Sequence, residues 1–237
     1  MTMDGKPGGA AAIDDAIHVA GIIDAVEAEL LIACGVRNLG FPFVLGYHEE
    51  DLSVDAAAAI VSRFRGRATF FLITYLDRAA DIVALCGKLG VQTVQLHGDV
   101  DIGELEALRR AEPALRIIKS LIVRSDNEET LRRTVARFAP HVDIFITDTF
   151  DPETGASGAT GKTHDWQVSQ RLVELSPKPV ILAGGLTVSN VREAIETVRP
   201  AGVDVHTGIE FEDGRKGRDL TLRFVAEARA GFASIRR

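Results

Sequence analysis

Val142–Trp166 reads VDIFITDTFDPETGASGATGKTHDW, an apolar run that passes into a polar, glycine-rich loop. Val142, Ile144, Phe145 and Ile146 have the β-branched and aromatic composition of a buried strand. That strand delivers Asp148 and Thr149 at its end. Beyond them lie Gly155, Gly158 and Gly161, then Lys162, Thr163, Asp165 and the only tryptophan, Trp166. A carboxylate at a strand terminus beside such a loop can hold an acid or a base over a small substrate. The competing reading is a phosphate-cradling P-loop, which needs a glycine five residues before its Gly-Lys-Thr. That position is Ala156, with Gly155 one place off. The backbone wraps phosphate only with glycine at the bend, so the P-loop is set aside.

Working outward, the same strand-then-helix unit recurs. Towards the N-terminus the predicted strands are Ala16–Ile22, Arg37–Phe43, Ala68–Thr74, Val91–Leu96 and Leu115–Val123. The helices between them are Ala25–Cys34, Asp55–Phe64 with Ser53 as cap, Arg78–Leu89, Ile102–Arg110 and Asn127–Ala139. Towards the C-terminus follow helix Gln167–Leu175, strand Val180–Ala183, helix Ser189–Val198, strand Val203–His206 and a last helix near Leu220–Gly231. Alternation of this kind calls for a parallel sheet. Eight units at near-regular spacing, with no linker-like shift in composition, predict a single-domain α/β chain folded as a (βα)8 TIM barrel. Residues 1–15 are expected to form a disordered tail and 16–237 the barrel. In such barrels chemistry sits at the C-terminal ends of the strands, where each polar or glycine-rich cluster of this sequence falls.

The 237 residues are 46% hydrophobic and 26% charged with a net charge of -7. That balance supports a large core and argues against a general nucleic-acid surface. No apolar run reaches membrane-spanning length, and the start MTMDGKPGGAAA lacks the charged and apolar regions of a signal peptide. A cytoplasmic location is expected. Cys34 and Cys86 lack metal-site spacing and read as buried free thiols. No metal and no cofactor is called for.

Three groups of residues carry candidate chemistry. The loops after strands 7 and 8, Ala183-Gly184-Gly185-Leu186 and Thr207-Gly208-Ile209-Glu210, stand where such barrels commonly hold a phosphate. Glycine lets backbone N–H groups close on an anion, although Gly184-Gly185 also suits a plain tight turn. Asp148 is placed for general acid catalysis, or for capping its own loop. His97 and Asp99 end strand 4, where His97 serves either the substrate or loop closure. His206 reads as a core histidine, Lys162 as an anion partner or a solvated lysine, and Asp165-Trp166 as a helix start.

These residues resemble the phosphoribosylanthranilate isomerase family of tryptophan biosynthesis. The likeness rests on Val94-Gln95-Leu96-His97-Gly98-Asp99, Thr147-Asp148-Thr149 and the run Gly158–Trp166. It continues through Pro179–Leu186 with Asn190-Val191, then Gly202-Val203-Asp204-Val205 and Gly208-Ile209-Glu210. The resemblance implies a cofactor-free barrel that performs an Amadori rearrangement, opening a phosphoribosyl amine ring and moving a proton from C2. It implies Asp148 as general acid, and Gly184, Gly185, Gly208 and Ile209 around the phosphate. His97, Asp204, Gly161 and Lys162 become substrate-binding positions. The expected partner is a phosphorylated sugar, handled by a monomer or homodimer.

Two positions depart from the family pattern. Its first strand carries Lys-Ile-Cys-Gly-Ile, with cysteine as general base, where this chain has His18-Val19-Ala20-Gly21-Ile22. Its Ser-Pro-Arg after strand 2, whose arginine meets the anthranilate carboxylate, is replaced by the acidic His48-Glu49-Glu50. His18, on the inward face of strand 1 one layer below Ala20, and Asp24, just beyond that strand, are the substitute bases the sequence suggests. Two other readings stay open: a barrel that binds a phosphosugar without turnover, and another phosphosugar reaction on a cationic aglycone.

Overall fold

The computed structural model describes residues 15–45, 50–124, 126–149 and 165–236. Gly161, Lys162, His48, Glu49 and the P-loop near miss lie outside them, as do residues 1–14. Eight parallel strands close in chain order into a barrel: β1 (Ala16–Ala20), β2 (Asn38–Pro42), β3 (Thr69–Thr74), β4 (Thr93–Leu96), β5 (Arg116–Val123), β6 (Ile144–Thr149), β7 (Val180–Leu182) and β8 (Gly202–Val205). Around them run α1 (Ala25–Ala33), α2 (Val54–Arg63), α3 (Ala79–Leu89), α4 (Ile102–Ala111), α5 (Glu128–Phe138), α6 (Trp166–Leu175), α7 (Val191–Val198) and α8 (Arg218–Ile235). β1 pairs with β8 through Ala16↔Gly202 and His18↔Asp204.

The predicted helix starts at Ser53 and Asp165 are real caps. Ser53 Oγ accepts from the Ala56 N–H at 3.2 Å and Asp165 Oδ1 from that of Gln167 at 2.8 Å, each satisfying a donor that the first turn leaves open. β1 stops at Ala20, two residues early, because Gly21 turns the chain with φ +73°. β8 begins one residue early, at Gly202. A Cβ there would stand 2.8 Å from the Ala16 carbonyl oxygen, so glycine permits the pairing that closes the barrel.

Strand alternation sorts the side chains into two layers. Ile17, Val19, Leu39, Phe41, Phe70, Leu72, Val94, Leu96, Phe145, Val203 and Val205 belong to the continuous core that also takes in the helices. The alternate positions form two smaller apolar clusters, Ile118, Ile144, Ile146, Ile181, Ala183 and, separately, Ala20, Phe71, Ile73. These fill the barrel interior. His18, Gln95, Ser120, Asp148 and Asp204 fall at inward positions by the same alternation. Among the described residues no helix is long and apolar enough to cross a membrane.

Candidate active site

β6 brings Asp148 to its C-terminal end at an inward position, 7% exposed. Its Oδ1 accepts from the Thr149 N–H at 2.8 Å, and its Oδ2 lies 2.9 Å from His97 Nε2, just past β4. The carboxylate assigns the Nε2–H tautomer to His97. Its other nitrogen, Nδ1, is buried with no partner, and the ring stacks on Tyr75 at 5.0 Å and 14°. His97 is therefore an Asp148 partner, and its backbone N–H also closes the loop by donating to the Thr74 carbonyl at 2.9 Å.

Asp204 comes from the inward face of β8. Its Oδ1 is buried with no partner. Burial first, then the neighbouring Asp148 carboxylate, push its pKa up to about 8, against the opposing pull of Lys216. Asp204 is thus a neutral carboxylic acid near pH 7, able to donate a hydrogen bond. Two inward-facing carboxyl groups, Asp148 and Asp204, thus stand near the C-terminal ends of their strands.

Beyond β8 a second cluster forms. Lys216, buried, donates from Nζ to the Gly21 carbonyl at 2.8 Å and to Glu210 Oε1 at 2.7 Å, while its backbone N–H donates to Glu27 Oε1 at 2.9 Å. Glu210 Oε1 also stands 3.4 Å from His206 Nε2. The His206 ring occupies the space where a Cβ on Gly21 would fall. Read as a core histidine from the sequence, His206 instead sits at the mouth, its side chain 31% exposed. The signal was obscure because the contact joins residues at opposite ends of the chain.

The phosphate-type loops meet as expected. Gly184 (φ +100°) and Gly185 (φ +62°) turn the chain after β7. Asn190 fixes that turn, donating to the Gly185 carbonyl at 3.0 Å and accepting from the Thr187 N–H at 2.8 Å. After β8, Thr207–Ile209 forms a short 3-10 turn. A Cβ on Gly208 would fall on the Leu186 carbonyl oxygen, so the two loops pack backbone against backbone. Among the described residues the N–H groups of Gly184, Gly185 and Gly208 donate to no carbonyl of the main chain. Unpaired backbone donors on two adjoining turns can hold an anion.

Neither substitute base suggested by the sequence stands well. His18 lines a cavity of about 380 Å³ together with Ala16, Asn38, Thr69, Thr93 and Arg116. Those residues open β1 to β5, so the cavity belongs to the N-terminal end of the barrel, away from Asp148. Alternation correctly put His18 inside and one layer below Ala20, and that layer opens to the N-terminal cavity. Asp24 caps α1 by accepting from the Glu27 N–H at 2.7 Å and is ion-paired to Arg215 at 2.7 Å. Those hydrogen bonds outweigh desolvation and lower its pKa, which makes it a poorer base.

Fold and site together define a (βα)8 barrel that carries a buried Asp148–His97 pair and two adjoining glycine turns at the C-terminal ends of its strands. The family model for N-(5'phosphoribosyl)anthranilate (PRA) isomerase matches residues 55–227. An N-(5'-phosphoribosyl)anthranilate isomerase 2 of Methanosarcina mazei is 36% identical over 93% of this chain and 96% of its own length. The Haloferax volcanii isomerase is 35% identical over 92% and 95%. The crystal structure of phosphoribosyl anthranilate isomerase from Thermotoga maritima superposes with a TM-score of 0.77 at 25% identity, covering 91% of this chain and 99% of that one. The chain belongs to the phosphoribosylanthranilate isomerase family.

Proposed function

We propose that the protein isomerises N-(5'-phosphoribosyl)anthranilate to the corresponding 1-amino-1-deoxyribulose phosphate, the Amadori step of tryptophan biosynthesis. The observation that carries this reading is the Asp148–His97 pair at the ends of β6 and β4, in a barrel whose Gly184-Gly185 and Gly208-Ile209 turns follow β7 and β8 and pack on each other. The substrate's phosphate takes the free N–H donors of those turns. Its furanose oxygen then meets Asp148, which donates a proton as the C1–O bond breaks and leaves an iminium at C1. Loss of the C2 proton gives an enolamine, which tautomerises to the aminoketone with no net change in atoms. His97, bonded to Asp148 Oδ2, orients the acid. Asp204, neutral near pH 7, is placed to donate to a ribose oxygen. We read the enzyme as cytoplasmic and as a monomer or homodimer.

The test is the loss of substrate fluorescence in the parent and in Asp148→Asn. Turnover in the parent, falling roughly 10²- to 10⁴-fold in the variant while ribose 5-phosphate still raises its melting temperature, supports the reading. A parent stabilised by ribose 5-phosphate but inert towards phosphoribosylanthranilate would overturn it for that substrate.

A further inference from the structure

The interior of a (βα)8 barrel is filled by layers of branched apolar side chains, but the first inward layer of this one is polar on most of its strands. His18 of β1, Asn38 of β2, Thr93 of β4 and Arg116 of β5 each stand two residues before Ala20, Gly40, Gln95 and Ile118, and so take the same inward face. The register joins them into a ring, with His18 beside Asn38 and Thr93 beside Arg116. All four line the cavity of about 380 Å³ at the N-terminal end of the barrel, and Phe71, Ile118 and Ile144 supply its apolar wall.

The charge around this cavity is one-sided, in a chain whose net charge is -7. Arg37, Arg116 and Arg229 line it against a single carboxylate, Asp15, which Arg236 already holds at 2.7 Å. Arg37 is fixed at the rim by donating from Nη1 to the Ile32 and Val36 carbonyls at 2.8 and 2.9 Å, contacts that leave its charge unbalanced. Arg116 points inward, and among the described residues no carboxylate forms an ion pair with it. It stands close enough to the His18 ring to lower its pKa, second only to burial. That ring is 5% exposed, leaves Nδ1 without a partner and lies 4.9 Å from the Phe71 ring. A buried polar atom without a partner and a cation without a counter-charge are both costly, and an oxyanion relieves both at once.

We propose that this cavity is a second ligand site, which takes a small organic anion: a carboxylate or phosphate group held by Arg116 beside His18, on an apolar body that packs against Phe71, Ile118 and Ile144. The guanidinium fork matches either head group with two parallel hydrogen bonds. A volume of about 380 Å³ exceeds what a bare inorganic anion fills, and the apolar wall gives the remaining space to carbon. The site lies at the opposite end of the barrel from Asp148 and His97, so it neither uses nor requires the isomerase reading.

Benzoate and phenyl phosphate share one apolar body and differ in head group. Each is titrated calorimetrically into the parent, Arg116→Gln and Asp148→Asn, with ribose 5-phosphate in excess to occupy the C-terminal end of the barrel. The His18 ring is followed by NMR in the same titrations, its signal assigned through His18→Gln. At least one of the two anions should bind the parent and Asp148→Asn with equal affinity and shift the His18 signal, and the tighter binder identifies the head group. Arg116→Gln should weaken that binding roughly tenfold or more, the loss of a charge-assisted hydrogen bond. The shift of the His18 signal in the parent tests the site without any variant, should Arg116→Gln fail to fold. No binding of either anion, binding that leaves the His18 signal in place, or affinity unchanged in a folded Arg116→Gln would overturn the proposal. A parent that binds benzoate or phenyl phosphate at this site but does not turn over phosphoribosylanthranilate would leave the proposal standing and remove only the isomerase reading.

Discussion

At the scale of single residues, the barrel interior holds two ionisable groups that fold in their neutral forms and pull stability in opposite directions with pH. His18 is 5% exposed with Nδ1 unpartnered, and burial, aided by Arg116, lowers its pKa to about 4. Its neutral form is the folded one, so stability is intact above the unfolded value of about 6.5 and is lost as pH falls towards 4. Asp204 behaves inversely. With a folded pKa of about 8 against the ordinary aspartate value of 3.8, it favours folding at low pH and opposes it increasingly as pH rises towards 8. Asp204→Asn abolishes that second penalty. Urea unfolding should show the variant gaining stability over the parent by roughly 3 kcal/mol more at about pH 8 than at about pH 5. The same substitution removes the neutral acid from the mouth, so weaker substrate binding should accompany the gain. A stability difference that does not change with pH would show Asp204 to be ionised in the fold.

At the scale of elements, the proposed anion site is a product of two loops meeting rather than of either alone. Gly208 carries no Cβ because the Leu186 carbonyl occupies its place, and the β7 turn beneath is pinned by Asn190. Gly208→Ala must therefore push the loops apart and misdirect the N–H groups of Gly184 and Gly185. The expected outcome is a fall of roughly tenfold or more in affinity for inorganic phosphate, read by calorimetry, with a stability loss of about 1–3 kcal/mol from overpacking. Unchanged phosphate affinity would place the anion elsewhere. These loops were legible in the sequence because their signals are local: a strand, two glycines, a helix start. The caps at Ser53 and Asp165 were legible for the same reason. The depth of His18 below Ala20 was legible too, but not the end it faces, since alternation says nothing about which end of a closed sheet a layer opens to. His206 was harder still, because its neighbour Gly21 is brought to it only by the pairing of β8 with β1.

At the scale of the whole molecule, that pairing is the seam of the barrel, and a side-chain lock crosses it. Lys216 ties the Gly21 carbonyl after β1 to Glu210 after β8, and its backbone N–H reaches Glu27 at the start of α1. Its ammonium is buried, so the ion pair with Glu210 is little screened by solvent. Replacing such a pair by apolar groups can be neutral, but removing one partner leaves an uncompensated charge, at a cost of about 3–5 kcal/mol. Lys216→Met should accordingly lower the melting temperature by roughly 10 °C. Glu210→Gln added to it should restore part of the loss, giving a coupling energy that two independent sites would not show. A second consequence separates this lock from ordinary core packing. Lys216 is one of the two causes that depress the His206 pKa, so its loss leaves burial alone opposed by Glu210, Asp51 and Asp148. The pKa of His206 must then rise, and NMR titration of its ring should show this in Lys216→Met. A ring titration that stays in place while the protein is destabilised would confine Lys216 to holding the seam.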